Sequence, residues 1–178
     1  MNLAAAMKTI ISLLLALFLF GCASYSGRGL QPGISSLLDI ENTMGAPAMR
    51  WREADGGERL AYPRGPSGFH TYMVETDKNG VFKHQENVLE PKHFARLHEG
   101  MTQDEVLRVI GPPQTHWTVY FAARDELAWE WRYCDDFAEP ARFNVLFDNT
   151  SGKLRTTMSR PESTALPFGR DRREWCSR

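Results

Sequence analysis

The stretch from Glu99 to Pro113 (EGMTQDEVLRVIGPP) constrains the fold more than any other, because both of its ends are chemically specified. Thr102 is a natural helix N-cap and Glu105 stands three residues on. In that capping box each side chain satisfies an otherwise unpaired backbone N–H. Met101 and Val106 fall at the spacing of a hydrophobic staple. Val106, Val109 and Ile110 recur on one face of a 3.6-residue period, and Leu107 widens that face. Gly111 supplies the stop, and Pro112-Pro113 cannot continue a helix. A helix of about two to three turns is not stable alone in water, so its apolar face must pack on another element.

The residues that follow supply that element. Trp117, Val119 and Phe121 alternate with Thr118 and Tyr120, and Arg124-Asp125-Glu126 forms a polar break. Leu127, Trp129, Trp131 and Tyr133 alternate with Ala128, Glu130 and Arg132. Phe143, Val145 and Phe147 alternate again, and Asp148 to Gly152 reads as a turn. Period-two patterns of this kind are strands with one apolar face. Short helices lying on an antiparallel meander bury both sets, which predicts an α+β fold.

On these residues the chain resembles the SmpA/OmlA/BamE-like lipoproteins. The matching positions are Gly100, Met101, Thr102, Glu105, Val106, Gly111 and Pro113, with the later Phe147-Asp148…Gly152 turn and the aromatic strand between. The resemblance covers about a third of the chain and implies an ααβββ-type unit, two short helices on a three-stranded antiparallel sheet. It marks a fold and not an active site, because each residue in it has a local structural task.

At the N-terminus, Lys8 precedes an apolar run from Ile10 to Phe20, the length of a signal-peptide core and short for a membrane span. The run ends in Leu19-Phe20-Gly21-Cys22, which resembles a bacterial lipobox. That implies cleavage before Cys22 and acylation of Cys22, anchoring the protein to a membrane by several chains. By the sorting rule of the bacterial lipoproteins this motif resembles, an aspartate after the cysteine would favour the inner membrane, so Ala23 implies the outer membrane with the domain facing the periplasm. The alternative is an ordinary secretory signal with a chance cysteine. With Cys22 committed to lipid, Cys134 and Cys176 remain as an even pair in an oxidising compartment, and a disulfide is expected. Loop closure there is worth ~3–4 kcal/mol. Two free thiols are the alternative.

The landmarks of the helix-and-meander signature occur twice. Met44-Gly45-Ala46-Pro47 mirrors Ile110-Gly111-Pro112-Pro113, and Trp51 and Trp117 each stand six residues after their glycine. Leu60-Ala61-Tyr62 mirrors Leu127-Ala128-Trp129, and Asp77-Lys78-Asn79-Gly80 mirrors the later turn. Upstream, Leu37, Ile40 and Met44 form a helix face, with Ser36 and Asp39 as a poorer cap. The expected organisation is a leader over 1–21, a Ser/Gly-rich tether over 22–32, a first unit over 33–89, a second over 90–160 and an irregular tail over 161–178. The alternative is a single C-terminal unit after an unrelated β-rich half. Two such units in tandem also resemble, in architecture, the β-lactamase inhibitory proteins.

The charge of -1 and the lack of a basic stripe argue against nucleic acid as a partner. The five histidines have no metal-binding spacing, no glycine-rich phosphate loop links a strand to a helix, and no catalytic set stands out, so neither metal, cofactor nor enzymatic activity is expected. Trp129, Trp131 and Tyr133 share a face with Trp117 across the strands and read as core. Tyr120, Glu130, Arg132 and Arg142 fall on or near the opposite face, the candidate interface. The resemblance implies a lipid-anchored scaffold that supports envelope integrity or outer-membrane protein assembly, with an envelope protein partner such as the β-barrel assembly machinery. A capture module that grips an enzyme or ligand between two repeats is the second expectation.

Overall fold

The computed structural model describes residues 26–64, 68–162 and Cys176. The leader, Cys22 and most of the tail lie outside the described residues. Helix α1 (Leu37–Met44) precedes strands β1 (Met49–Arg52), β2 (Glu58–Pro63), β3 (Thr71–Thr76) and β4 (Phe82–Asn87). A single turn, α2 (Pro91–Phe94), and helix α3 (Gln103–Ile110) precede β5 (Val119–Phe121), β6 (Glu126–Cys134), β7 (Pro140–Asp148) and β8 (Leu154–Pro161). The fold is α+β: each set of strands forms one antiparallel sheet in sequence order, sheet 1 from β1–β4 and sheet 2 from β5–β8. Each sheet holds four strands, one more than the expected three.

Both helices of eight residues are closed by the same chemistry. Thr102 accepts from the Glu105 N–H at 3.2 Å, and the Thr102 N–H donates to the Glu105 carboxylate at 2.7 Å. Ser36 and Asp39 form the same box at 3.2 and 2.8 Å, so the first cap is complete rather than poorer. The shorter aspartate reaches the backbone as well as glutamate does. Gly45 and Gly111 end the helices at φ +85° and +74°, a conformation strained for any residue with a Cβ. In both halves the chain entering the helix bonds the last strand: the Phe82 N–H donates to Ser35 O and the Leu154 N–H to Met101 O, each at 2.8 Å. The turns before those strands are aspartate-led. Asp77 Oδ1 accepts from the N–H groups of Asn79 and Val81. Bonds from the Ser151 N–H and Arg155 draw the Asp148 carboxyl down to about 2.

The elements stack as α1, sheet 1, α3 and sheet 2. Ile40 and Met44 of α1 pack with Leu60, Tyr62, Val74 and Phe82 on one face of sheet 1. Val106, Val109 and Ile110 of α3 pack on sheet 2 with Trp131, Phe143, Val145 and Phe147. Phe94 of α2 lies flat on Phe143, ring centroids 3.9 Å apart, and edge-on to Tyr133 at 4.9 Å. Each fully buried side chain of this size contributes roughly 1.5–3 kcal/mol, which holds helices that could not persist alone.

Helix α3 has a second packed side. Leu107 lies against Trp51, Ala61, Met73 and Val88 on the far face of sheet 1. Asp104 accepts from the Trp51 indole at 3.1 Å, and the Arg108 guanidinium stands 5.7 Å from the Trp51 ring while pairing with Glu53 at 3.7 Å. At Gly111 the backbone comes so close that a Cβ would meet Thr71 Cγ2 at 2.7 Å. The far face of sheet 1 is thus covered by a helix of the other half.

Two sequence expectations are corrected. Trp117 does not extend the strand: it closes a 3-10 turn (Thr115–Trp117), and β5 is only Val119–Phe121. Trp51, by contrast, lies within β1. Leu60 and Leu127 align the two sheets, and Trp51 then matches Phe121, because Trp51 pairs with Arg59 and Phe121 with Glu126. The turn after Pro112-Pro113 consumes the residues that made the two tryptophans look equivalent.

Candidate functional site

Strand register decides which side chains share a face, since directly opposed residues of an antiparallel pair point the same way. Leu127 and Phe147 are opposed, as are Trp129 with Val145 and Trp131 with Phe143, and all of these belong to the face under α3. On the other face Val119, Ala128, Leu146 and Thr156 form one row, and Glu130, Asn144 and Met158 another. Among the described residues no element covers this outer face.

Glu130, Arg132 and Arg142, all expected there, are brought together. Arg142 bonds Glu130 at 2.6 Å and Glu162 at 2.5 Å, Arg132 bonds Glu162 at 2.6 Å, and Arg160 bonds Glu130 at 2.7 Å. Arg142 also lies 3.7 Å from the Trp117 ring centroid and Arg132 4.1 Å from that of Phe69, favourable cation–π placements. Burial raises the Glu162 carboxyl, but the Arg142 and Arg132 hydrogen bonds outweigh it and hold the pKa below the ordinary value. Glu130 and Arg132 are themselves buried. Replacing either would strand a buried counter-charge, so this network braces the sheet end more than it offers free charges.

Tyr120 is not part of that face. It opposes Leu127, on the core side of the short edge strand, and its hydroxyl donates to Asp125 at 3.0 Å. That bond raises the Tyr120 pKa and lowers that of Asp125, whose largest cause is the Thr150 hydroxyl. Trp117 is corrected in the other direction, since it leans on Arg142 and so lies with the outer face, away from Trp129 and Trp131.

The contact groups of the outer face are apolar: Val119 and Phe121, which the alternation assigns to the core, and Met158, which it does not address. Val119, Phe121 and Met158 are 45, 41 and 51 % exposed. With Trp117, Leu146 and Arg160 they line an open depression of about 380 Å³. Asn144 is buried on its floor, and its Nδ2 donor has no partner among the described residues. Large apolar side chains grouped on one solvent-facing sheet surface make this face the candidate site. The signal that could have found them is pairing register, which depends on a hairpin loop whose length the pattern does not specify.

Other predicted positions have structural roles. Thr102, Glu105, Val106 and Gly111 form the cap, face and stop of α3, and Met101 packs on the same cluster as Val106. The sulfurs of Cys134 and Cys176 stand at disulfide distance, with Cα atoms 5.6 Å apart. Cys22 lies outside the described residues. Among the described residues no three His, Cys, Asp or Glu side chains are placed to hold a metal ion, and no helix is long and apolar enough to cross a membrane. His93 is buried with Nε2 3.3 Å from Glu86 Oε2. Burial lowers its pKa, while Glu86 pulls the other way.

No family model, no curated protein and no solved structure matches this chain.

Proposed function

We propose that the protein is a non-enzymatic, lipid-anchored outer-membrane protein whose periplasmic domain binds another protein through the outer face of sheet 2. In this reading it supports envelope integrity or outer-membrane protein assembly. Its two halves are tandem copies of one helix-and-meander unit resembling the SmpA/OmlA/BamE-like fold. The lipid anchor rests on Leu19-Phe20-Gly21-Cys22, and a pair of cysteines at bonding distance suits an exported compartment. The repeat is supported by the shared capping boxes, glycine stops and aspartate-led turns.

One observation carries the binding role. Val119, Phe121, Ala128 and Leu146 occupy the register positions that Met49, Trp51, Ala61 and Met73 hold in sheet 1. In sheet 1 those positions are packed under α3, whereas in sheet 2 Val119 and Phe121 are exposed, Leu146 is half-buried and Ala128 is buried beneath them with no helix over it among the described residues. The space between the sheets is taken by α3, so these side chains favour a binding face over a grip between the halves.

Affinity capture from detergent-solubilised envelopes tests the reading, with the tagged full-length protein beside its Cys22→Ala and Phe121→Glu forms. The expected result is a protein partner held by the wild type and lost with Phe121→Glu. Barrel-assembly proteins in that fraction, dependent on Cys22, fit the assembly role. Capture unchanged by Phe121→Glu overturns the assignment of the face.

A further inference from the structure

We infer that the open face of sheet 2 takes helix α1 of a second copy of this chain, seated as α3 is seated on sheet 1, so that copies add head to tail. The inference rests on the reading of that face as the binding surface and names its occupant.

The two ends of the stack carry complementary unpaired surface. At one end Val119, Phe121 and Met158 are exposed on sheet 2; at the other Ile34 and Leu38 are 72 and 65 % exposed beside and on α1. Leu38 follows its N-cap by two residues, as Asp104 follows Thr102. Within the chain, the Asp104 carboxylate answers the Trp51 indole N–H. In sheet 2 the place of Trp51 is held by Phe121, which has no N–H to satisfy, and the place of Asp104 on α1 is held by Leu38, which has no acceptor to offer. The hydrogen-bonded pair inside the chain becomes an apolar pair between copies.

The neighbouring charges change in the same matched way. Arg108 stands six residues past its N-cap and pairs with Glu53, two residues past Trp51. The corresponding residues are Asn42, six past Ser36, and Ala123, two past Phe121. At this pair of positions neither surface brings a charge whose partner is missing on the other. Glu41, in the place of Leu107, is the one anion introduced, already held on one side by Arg50. The open face presents it with the exposed guanidinium groups of Arg124 and Arg160, which it would share with Glu126 and Glu130, and with the Asn144 Nδ2 on the floor, which has no partner among the described residues. Gly45, like Gly111, carries no Cβ, and nothing lies within 4 Å of where one would stand. A backbone can approach α1 there as sheet 1 approaches Gly111. An interface joining two different surfaces is heterologous and continues from copy to copy unless it closes into a ring.

The test uses full-length, lipidated protein in whole cells. Two forms, Leu38→Cys and Phe121→Cys, carry tags of different size and are expressed alone and together under mild oxidation. Both positions are exposed, so neither change removes core. The expected result is a mixed disulfide dimer on co-expression, at least tenfold above either form alone. A dimer from Leu38→Cys or Phe121→Cys alone in equal yield overturns the head-to-tail geometry. If Phe121→Cys joins only a protein of another mass, the second copy is excluded as occupant but the binding face stands. No adduct at Phe121→Cys overturns both.

Sedimentation of the purified chains in detergent gives an independent readout. Leu38→Glu and Phe121→Glu should each be monomeric. Their equimolar mixture retains one intact face of each kind and should form a dimer that grows no further. A mixture that stays monomeric contradicts the inference.

Discussion

Helices α1 and α3 have the same length, the same capping box and the same glycine stop, yet the molecule uses them differently. α1 packs on one side only and leaves Leu38 in solvent. α3 packs on two sides, with Val106, Val109 and Ile110 on sheet 2 and Leu107 and Gly111 against sheet 1. Sheets 1 and 2 show the same contrast: among the described residues one is covered on both faces and the other on one. Local sequence specifies where each helix starts and stops. Position in the stack decides how much of its surface is buried, and the two ends of the stack are where the molecule has surface left to use.

The contrast can be broken most forcefully at Trp51 and Phe121, which hold matching strand positions. Trp51→Ala should cost ~3–5 kcal/mol, as for a buried aromatic whose cavity does not close. Phe121→Ala should stay within about 0.5 kcal/mol in the isolated chain. Urea unfolding midpoints measure both, and comparable losses would mean that the outer face is packed by the chain itself. The next largest effect is expected at the glycine stops. Gly45→Ala meets only the strain of a positive-φ, extended-ψ backbone that is nearly glycine-only, ~1–3 kcal/mol. Gly111→Ala adds a contact with buried Thr71 and should cost about 1–3 kcal/mol more.

Two smaller effects sharpen the comparison. Ser36→Ala and Thr102→Ala should each cost ~1 kcal/mol, and equal losses would show that the two caps are equivalent despite their different residues. Between pH 7.5 and 5.5 the pH response comes from the histidines. Burial lowers the pKa of both His93 and His70 below the ordinary 6.5, so the unfolded chain takes up protons that the folded chain refuses. Stability should therefore decline as pH falls below about 6.5. His93→Gln should flatten that slope between pH 7.5 and 5.5, read as the shift in urea midpoint.

What the sequence revealed follows from how local each signal is. The limits of α3 were legible because a cap, a staple and a stop act within a few residues, and the Asp148 turn for the same reason. The strands of sheet 2 were legible as apolar alternation. The face of β5 was not: Val119 and Phe121 alternate with Tyr120, and all three are large and apolar enough for a core. Only pairing with β6 turns Tyr120 toward Leu127 and leaves Val119 and Phe121 on the outer side. Glu130, Arg132 and Arg142 were placed on the correct face, but Arg132 is tied to the other two only through Glu162, past the end expected for the second unit. The double packing of α3 through Leu107 and Asp104 was hidden too, because Leu107 read as the margin of one amphipathic face. Their partners, Trp51 and Met73, are more than thirty residues away along the chain.

The central claim is that the outer face of sheet 2 is covered in the cell. Adjacent residues on opposite faces of β5 test it directly: the rate at which a membrane-permeant maleimide labels Phe121→Cys is compared with that for Tyr120→Cys, in intact cells and in dilute purified protein. The account predicts that the Phe121→Cys thiol reacts freely when purified and is protected at least tenfold in cells, while the Tyr120→Cys thiol reacts alike in both. Equal labelling of Phe121→Cys in cells and in solution would contradict it.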